Sequence, residues 1–175
     1  YERCVRTLLL TSIGYHLHSL LSIGSFVIFC QMQMPARPDG KEVVTMREIS
    51  AKDITKKVRE ACIAANCRLP DDVIESFKKG RQEERSPLGC QIFDKMLENA
   101  ELAASKEVPV CQDTGMAVIF AEVGQDCHIV DGDFETAVNE GVRQGYVEGY
   151  LRLSVVSDPL RRVNTNDNTP AIIHT

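Results

Sequence analysis

The stretch Val108-Pro109-Val110-Cys111-Gln112-Asp113-Thr114-Gly115 sets a thiol, an amide, a carboxylate and a hydroxyl on four consecutive residues. A thiolate is a soft metal ligand, and its three neighbours supply hydrogen-bonding groups for a polar substrate. Pro109 ends the preceding helix, and Gly115 permits a tight turn into an apolar strand. The polar side chains therefore fall at a helix-to-strand junction, well placed to line a cleft. Residue types alone leave a second reading open. Cys111 then becomes a buried structural thiol in a turn, with Asp113 and Thr114 acting as local caps.

The elements around this stretch are legible from periodicity. Ser50 precedes a helix carrying Ile54, Val58, Cys62 and Ala65 at core spacing, closed by Leu69-Pro70. A second helix is expected from Asp71 through Val73, Ile74 and Phe77 to a stop at Gly80, followed by a charged connector through Arg85. Ser86-Pro87 restarts a helix with Ile92, Met96, Ala100 and Ala103 on one stripe, ending by Ser105-Lys106. Beyond Val108 the period changes. Met116–Val123 is short, apolar and β-branched and reads as a buried strand; Cys127–Val130 reads as a second strand returning after the turn Gly124-Gln125-Asp126.

Asp133 then caps a helix with Phe134, Ala137, Val138, Gly141, Val142 and Tyr146 on one face. Gly141 and Gly145 either permit close packing or weaken that helix. A polar, turn-rich segment from Ser154 to Thr169 leads to Ala171-Ile172-Ile173-His174, the beginning of a strand whose partner is expected beyond Thr175. The pattern gives an α+β fold, a helical lead-in followed by a mixed sheet. Its core is expected to be incomplete, as in a fragment of a larger unit.

Composition narrows the class. Among 175 residues, apolar types make up 43% and charged types 26%, ordinary for a soluble globular chain. A net charge of -5 argues against a nucleic-acid partner, which demands a basic face. Cys4, Cys30, Cys62, Cys67, Cys90, Cys111 and Cys127 form no C-x-x-C pair, and their number is odd. Reduced thiols in a cytoplasmic enzyme fit better than a disulfide scaffold or a zinc site.

Residues 1–45 read differently from the rest. Arg3 and Arg6 precede a run from Thr7 to Cys30 without Asp, Glu, Lys or Arg, long enough for a membrane span or a signal peptide. His16, His18, four serines, Gly14 and Gly24 interrupt that run, and a Pro-rich, charged linker follows at 34–41. The expectation is an N-terminal extension apart from the body, which begins near Met46. His16 and His18 have no carboxylate or thiol at ligand spacing.

The segment Val110-Cys111-Gln112-Asp113-Thr114-Gly115 resembles the cluster-binding segment of class I fumarases and L(+)-tartrate dehydratases. The resemblance continues through Tyr150-Leu151-Arg152-Leu153-Ser154 and Asp158-Pro159-Leu160. It extends to Val163-Asn164-Thr165-Asn166-Asp167-Asn168-Thr169-Pro170-Ala171, in the family's order. It covers residues 46–175 and fits the N-terminal part of the α subunit of the two-subunit form.

The resemblance implies that Cys111 is one of three cysteines holding a 4Fe-4S cluster, and three thiolates on four irons leave one iron open as a Lewis acid. It implies that Gln112 and Asp113 contact substrate and that Arg152 binds a substrate carboxylate. The implied reaction is reversible hydration of a small dicarboxylic acid, fumarate/malate ahead of tartrate. A β subunit and an oligomeric assembly are implied as partners. The other two cluster cysteines are expected beyond Thr175 and the catalytic base in the β part, so this stretch by itself is expected to be inactive.

Cys62, Cys67, Cys90 and Cys127 match no ligand position. Two other readings stand beside this one: a non-catalytic subunit that folds only with a partner, and a thiol enzyme with Cys111 as nucleophile. The last is poorly served, because His128 and His174 are the only histidines in the body and no motif ties either to Cys111.

Overall fold

Two helices far apart in sequence form the centre of the molecule. In this computed structural model, which describes residues 5–10, 28–30 and 47–175, α1 spans Ala51–Cys67 and α4 spans Phe134–Glu148. Both begin on caps that the sequence predicts. The Ser50 hydroxyl accepts from the Lys52 N–H at 3.2 Å. The Asp133 carboxylate accepts from the Thr136 N–H at 2.9 Å and from its hydroxyl at 3.0 Å.

Along α1, Ile54, Val58, Ala61 and Cys62 are buried, and along α4, Ala137, Val138, Val142 and Tyr146 are buried. Full burial of a valine or isoleucine stabilises by about 1.5–3 kcal/mol, so this seam dominates the core. Gly141 and Gly145 decide how near the helices come. A Cβ at Gly141 would stand 2.6 Å from the Thr55 carbonyl oxygen, and one at Gly145 would stand 2.8 Å from the Cys62 Cβ. Their role is close packing. Across the same seam the Thr55 hydroxyl donates to the Ala137 carbonyl at 2.9 Å.

Helices α2 (Asp71–Glu83) and α3 (Pro87–Lys106) form an antiparallel hairpin. The expected stop at Gly80 is wrong: α2 runs on to Glu83, absorbing part of the charged connector. Gly80 is there because the Phe93 ring lies against it, with Phe93 Cζ 2.7 Å from where a Cβ would be. Arg81 then pairs with Asp94 at 2.7 Å, tying α2 to α3. The α3 stripe is also only half correct. Ala100 and Ala103 are buried, whereas Ile92 is 52% and Met96 38% exposed. The hairpin projects, and only its base reaches the core.

Strands β1 (Val5–Leu10), β2 (Ile28–Cys30), β4 (Val118–Val123) and β6 (Ile172–His174) form a mixed sheet in the order β2-β1-β4-β6. β1 pairs antiparallel with β2 and β4, and β6 pairs parallel with β4 in the register Val118↔Ile172. The final strand thus finds a partner inside the chain, contrary to expectation, through a parallel crossover over α4. The Phe120 and His174 rings stack at 4.7 Å on that ladder.

A second, two-stranded parallel ladder joins β3 (Arg47–Ser50) to β5 (Cys127–Val130). β5 is therefore a strand but not the return arm of a hairpin on β4. β3 carries no periodicity signal in its four residues; only β5, some eighty positions away, makes it a strand. The α+β class holds, with a helical lead-in and a mixed sheet. The reading of residues 1–45 as a separate extension concerns residues that, strands β1 and β2 excepted, lie outside the described ones. Among the described residues no helix is long and apolar enough to cross a membrane.

Candidate functional site

Cys111 is held by the backbone groups of the residue before it. The Val110 N–H donates to the Asn66 carbonyl at the end of α1 at 2.9 Å. The Val110 carbonyl accepts from the Asn99 side chain of α3 at 2.8 Å. With both of its polar groups tied to different helices, Val110 delivers Cys111 to the surface, where the thiol is exposed. The Asp113 N–H points at the Cys111 sulfur at 3.2 Å.

Arg152 reaches the same place by another route. α4 ends in a turn in which the Tyr150 N–H donates to Val147 and the Leu151 N–H to Tyr146. This is the left-handed helix stop usually built on glycine, and Tyr150 occupies its left-handed position with φ 53°. Leu151 is buried, and the next residue is laid against the Cys111 segment. The Arg152 N–H donates to the Thr114 hydroxyl at 2.8 Å, and the guanidinium lies 3.0 Å from the Asp113 carboxylate.

Buried polar groups fix this crossing. Thr114 and Asn168 are 2% and 0% exposed. The Tyr146 hydroxyl donates to the Thr114 carbonyl at 3.0 Å; burial pushes this phenol well above its ordinary pKa, so it remains a neutral donor. Asn168 bridges the two segments: its amide donates to the Gly115 carbonyl at 3.0 Å, and its oxygen accepts from the N–H groups of Ser154 and Val155 at 2.7 and 3.0 Å. Asn168 has φ 60°, a conformation asparagine tolerates better than most residues. Asn164 donates to the Leu153 carbonyl at 2.8 Å, so the asparagine-rich motif serves as a brace behind Arg152.

An open depression of about 480 Å³ results, lined by Pro109, Cys111, Gln112, Thr114, Tyr150 and Arg152. Three of the four residues expected from the sequence, Cys111, Gln112 and Arg152, face it. Asp113 does not line it; its carboxylate orients Arg152 instead. The Thr114 hydroxyl, expected at a cleft, lines the depression, whereas sequence reasoning missed Tyr146, Tyr150 and Asn168 as parts of this arrangement. Tyr150 and Asn168 lie inside segments that carry the resemblance, and Tyr146 lies in the helix that precedes Tyr150.

An iron–sulfur cluster takes thiolate sulfur at each protein-held iron. Cys111 fits one such corner, exposed at the edge of a depression with a backbone N–H on its sulfur. Among the described residues no group of three His, Cys, Asp or Glu side chains is arranged to hold a metal. Cys62 lies wholly buried in the α1–α4 seam, which pushes its thiol up to about 12. Cys67 is buried at the end of α1, Cys90 donates to the Glu84 carbonyl, and Cys127 packs half-buried against the core. Among the described residues, a cluster is fitted through one ligand only, Cys111.

The chain has relatives among known proteins. Over 123 residues the chain is 28% identical to the L(+)-tartrate dehydratase subunit alpha of Escherichia coli (strain K12), covering 70% of this chain and 40% of that protein. It is 30% identical over 116 residues to a putative L(+)-tartrate dehydratase subunit alpha of Methanocaldococcus jannaschii, covering 66% of this chain and 39% of that one. The chain thus spans about 40% of the length of the curated relatives it matches. Residues 55–175, which include the whole depression, match the family described as Fumarate hydratase (Fumerase), and the chain belongs to that family.

Proposed function

We propose that this chain supplies the N-terminal part of the α subunit of a 4Fe-4S hydro-lyase that adds water to, or removes it from, a small dicarboxylic acid. Fumarate/malate is the first choice of substrate and tartrate the second. The observation that carries the reading is the convergence of Cys111 and Arg152, 41 positions apart in sequence, on one open depression in a chain of the fumarate hydratase family.

In this reading the Cys111 thiolate holds one corner of the cluster. When bound, such a cluster supplies Lewis acidity at an iron that no thiolate occupies. Arg152 presents its planar fork to a substrate carboxylate, a bidentate geometry that fixes the acid in orientation as well as place. Gln112 offers an amide donor and acceptor from the wall. Asp113, expected from the resemblance to contact substrate, keeps Arg152 aimed until the acid arrives. The remaining cluster cysteines and the proton-abstracting base come from further α sequence and from a β subunit in an oligomeric, cytoplasmic enzyme.

The test is anaerobic reconstitution of the complete α chain with its β partner, using iron and sulfide. Expected are the brown cluster absorbance and hydratase activity on malate or tartrate, both lost in Cys111→Ala. A colourless assembly, or full activity in that variant, overturns the proposal.

A second reading has one observation in its favour. No residue of α2 is buried, and Leu88, Ile92 and Leu102 of α3 are 66%, 52% and 46% exposed. Such a hairpin suits a subunit that is covered by a partner and contributes no chemistry. Assembly with the β chain without iron uptake supports that reading instead.

A further inference from the structure

Tyr150 combines two features that rarely meet without a reason. It holds φ 53°, a conformation that is a genuine outlier for a bulky aromatic residue and that glycine or asparagine adopts at far lower cost. Its side chain does not repay that strain by packing, being 91% exposed. The phenol makes no hydrogen bond among the described residues. Yet Tyr150 is one of the six residues lining the depression, alongside Cys111, Gln112 and Arg152. The helix-stop hydrogen bonds account for the backbone turn but would serve glycine as well; an aromatic side chain kept there at a cleft, with no contact of its own in the fold, points to a contact made with something else.

The chemistry of the side chain says what that contact is. The phenol offers one O–H donor and a flat apolar face, held two positions before Arg152 on a backbone anchored by buried Leu151. We infer that Tyr150 is a specificity-determining residue of the site, its hydroxyl donating to a carboxylate or hydroxyl oxygen of the bound acid while its ring walls the depression. The inference rests on the dicarboxylate reading above and extends it to a residue that reading does not use. A hydroxyl that meets a second polar oxygen helps distinguish acids differing only in hydroxyl number. A wall of plain hydrocarbon discriminates such acids weakly.

The experiment uses the assembled enzyme with Tyr150→Phe and Tyr150→Gly, titrated calorimetrically with succinate, a diacid that cannot be dehydrated, and assayed for KM and kcat on malate and tartrate. Expected is a loss of succinate affinity of about tenfold in Tyr150→Phe, the scale of one hydrogen bond to a charged group. Tyr150→Gly should lose more, with KM rising ahead of any fall in kcat and the malate-to-tartrate preference changing. Thermal unfolding of Tyr150→Gly should occur at or above the parent temperature, because glycine relieves the left-handed strain.

Weaker binding together with undiminished stability separates a ligand contact from a structural role. If parent and both variants bind succinate and malate equally, the inference is overturned and the dicarboxylate reading stands. If the parent enzyme binds no diacid, the reading of the previous subsection falls and this inference falls with it.

Discussion

The guanidinium of Arg152 sits 3.0 Å from the carboxylate of Asp113, while the backbone N–H of the same arginine donates to the hydroxyl of Thr114, the next residue along. Two neighbouring residues after Cys111 thus hold both ends of Arg152. The ion pair is 58% and 67% exposed, where such a pair contributes about 0.2–1 kcal/mol to folding. Its value to the molecule lies in aim.

Arg152→Ala should therefore leave the thermal midpoint nearly unchanged. Diacid binding in the assembled enzyme should weaken by about 1.5–3 kcal/mol, the range for a hydrogen bond to a charged group. Thermal denaturation and succinate titration on one preparation check the two halves. A fall in stability with undiminished binding rejects the assignment.

Much of this arrangement was legible in the sequence. The caps Ser50 and Asp133 and the core faces of α1 and α4 followed from local chemistry, because capping and helical periodicity are encoded within a few residues. The juxtaposition of Cys111 and Arg152 was available only through resemblance. What stayed hidden depends on distant partners. β3 is a strand because β5 lies beside it, Gly80 belongs inside α2 because Phe93 covers it, and β6 pairs with β4 through a crossover. Tyr150 and Asn168 escaped for a different reason, since a positive φ at a residue other than glycine leaves no compositional mark.

The two cysteines most often confused by composition should separate under alkylation. Cys111 is exposed, whereas burial pushes Cys62 up to about 12. Iodoacetamide at neutral pH on the cluster-free protein should label Cys111 and spare Cys62 until the fold opens, as read by peptide mass. Cys62→Ser should cost about 1–3 kcal/mol by burying a hydroxyl in the α1–α4 seam, with no effect on iron uptake. Cys111→Ser should do the reverse.

Gly141→Ala tests the closeness of that seam. Alanine is the better helix former by about 1 kcal/mol, so an open site would be stabilised. Here the added methyl would meet the Thr55 carbonyl oxygen at 2.6 Å and the Val58 Cβ at 2.7 Å, and neither belongs to a flexible side-chain end. A net loss of about 1–3 kcal/mol is expected from overpacking, measured by chemical denaturation. A gain in stability would mean that α1 and α4 stand further apart.

Asn168→Ala removes the bridge between the Gly115 and Ser154 backbones. Each buried group left without a partner costs about 1–3 kcal/mol, and three such groups lose theirs. Stability should fall by several-fold the effect of an ordinary surface change. Hydrogen exchange should rise first at Ser154 and Val155. Uniform exchange across the chain would argue that Asn168 supports the fold generally and not this crossing.

Acid should act through Glu140. Arg143 and Gln144 hydrogen-bond its carboxylate and hold it down to about 2, against an ordinary value of 4.5. A carboxyl whose folded pKa is depressed contributes stability that is present above its unfolded pKa and lost as pH falls through the folded one. The window is therefore from about 4.5 down to about 2. Because the Glu140 side chain is 38% exposed, solvent screening keeps the effect well below the full linkage value. Glu140→Gln should flatten the acid limb of the thermal midpoint across that window and leave the midpoint at neutral pH only slightly lower. A parallel shift of the whole curve would place the acid sensitivity elsewhere.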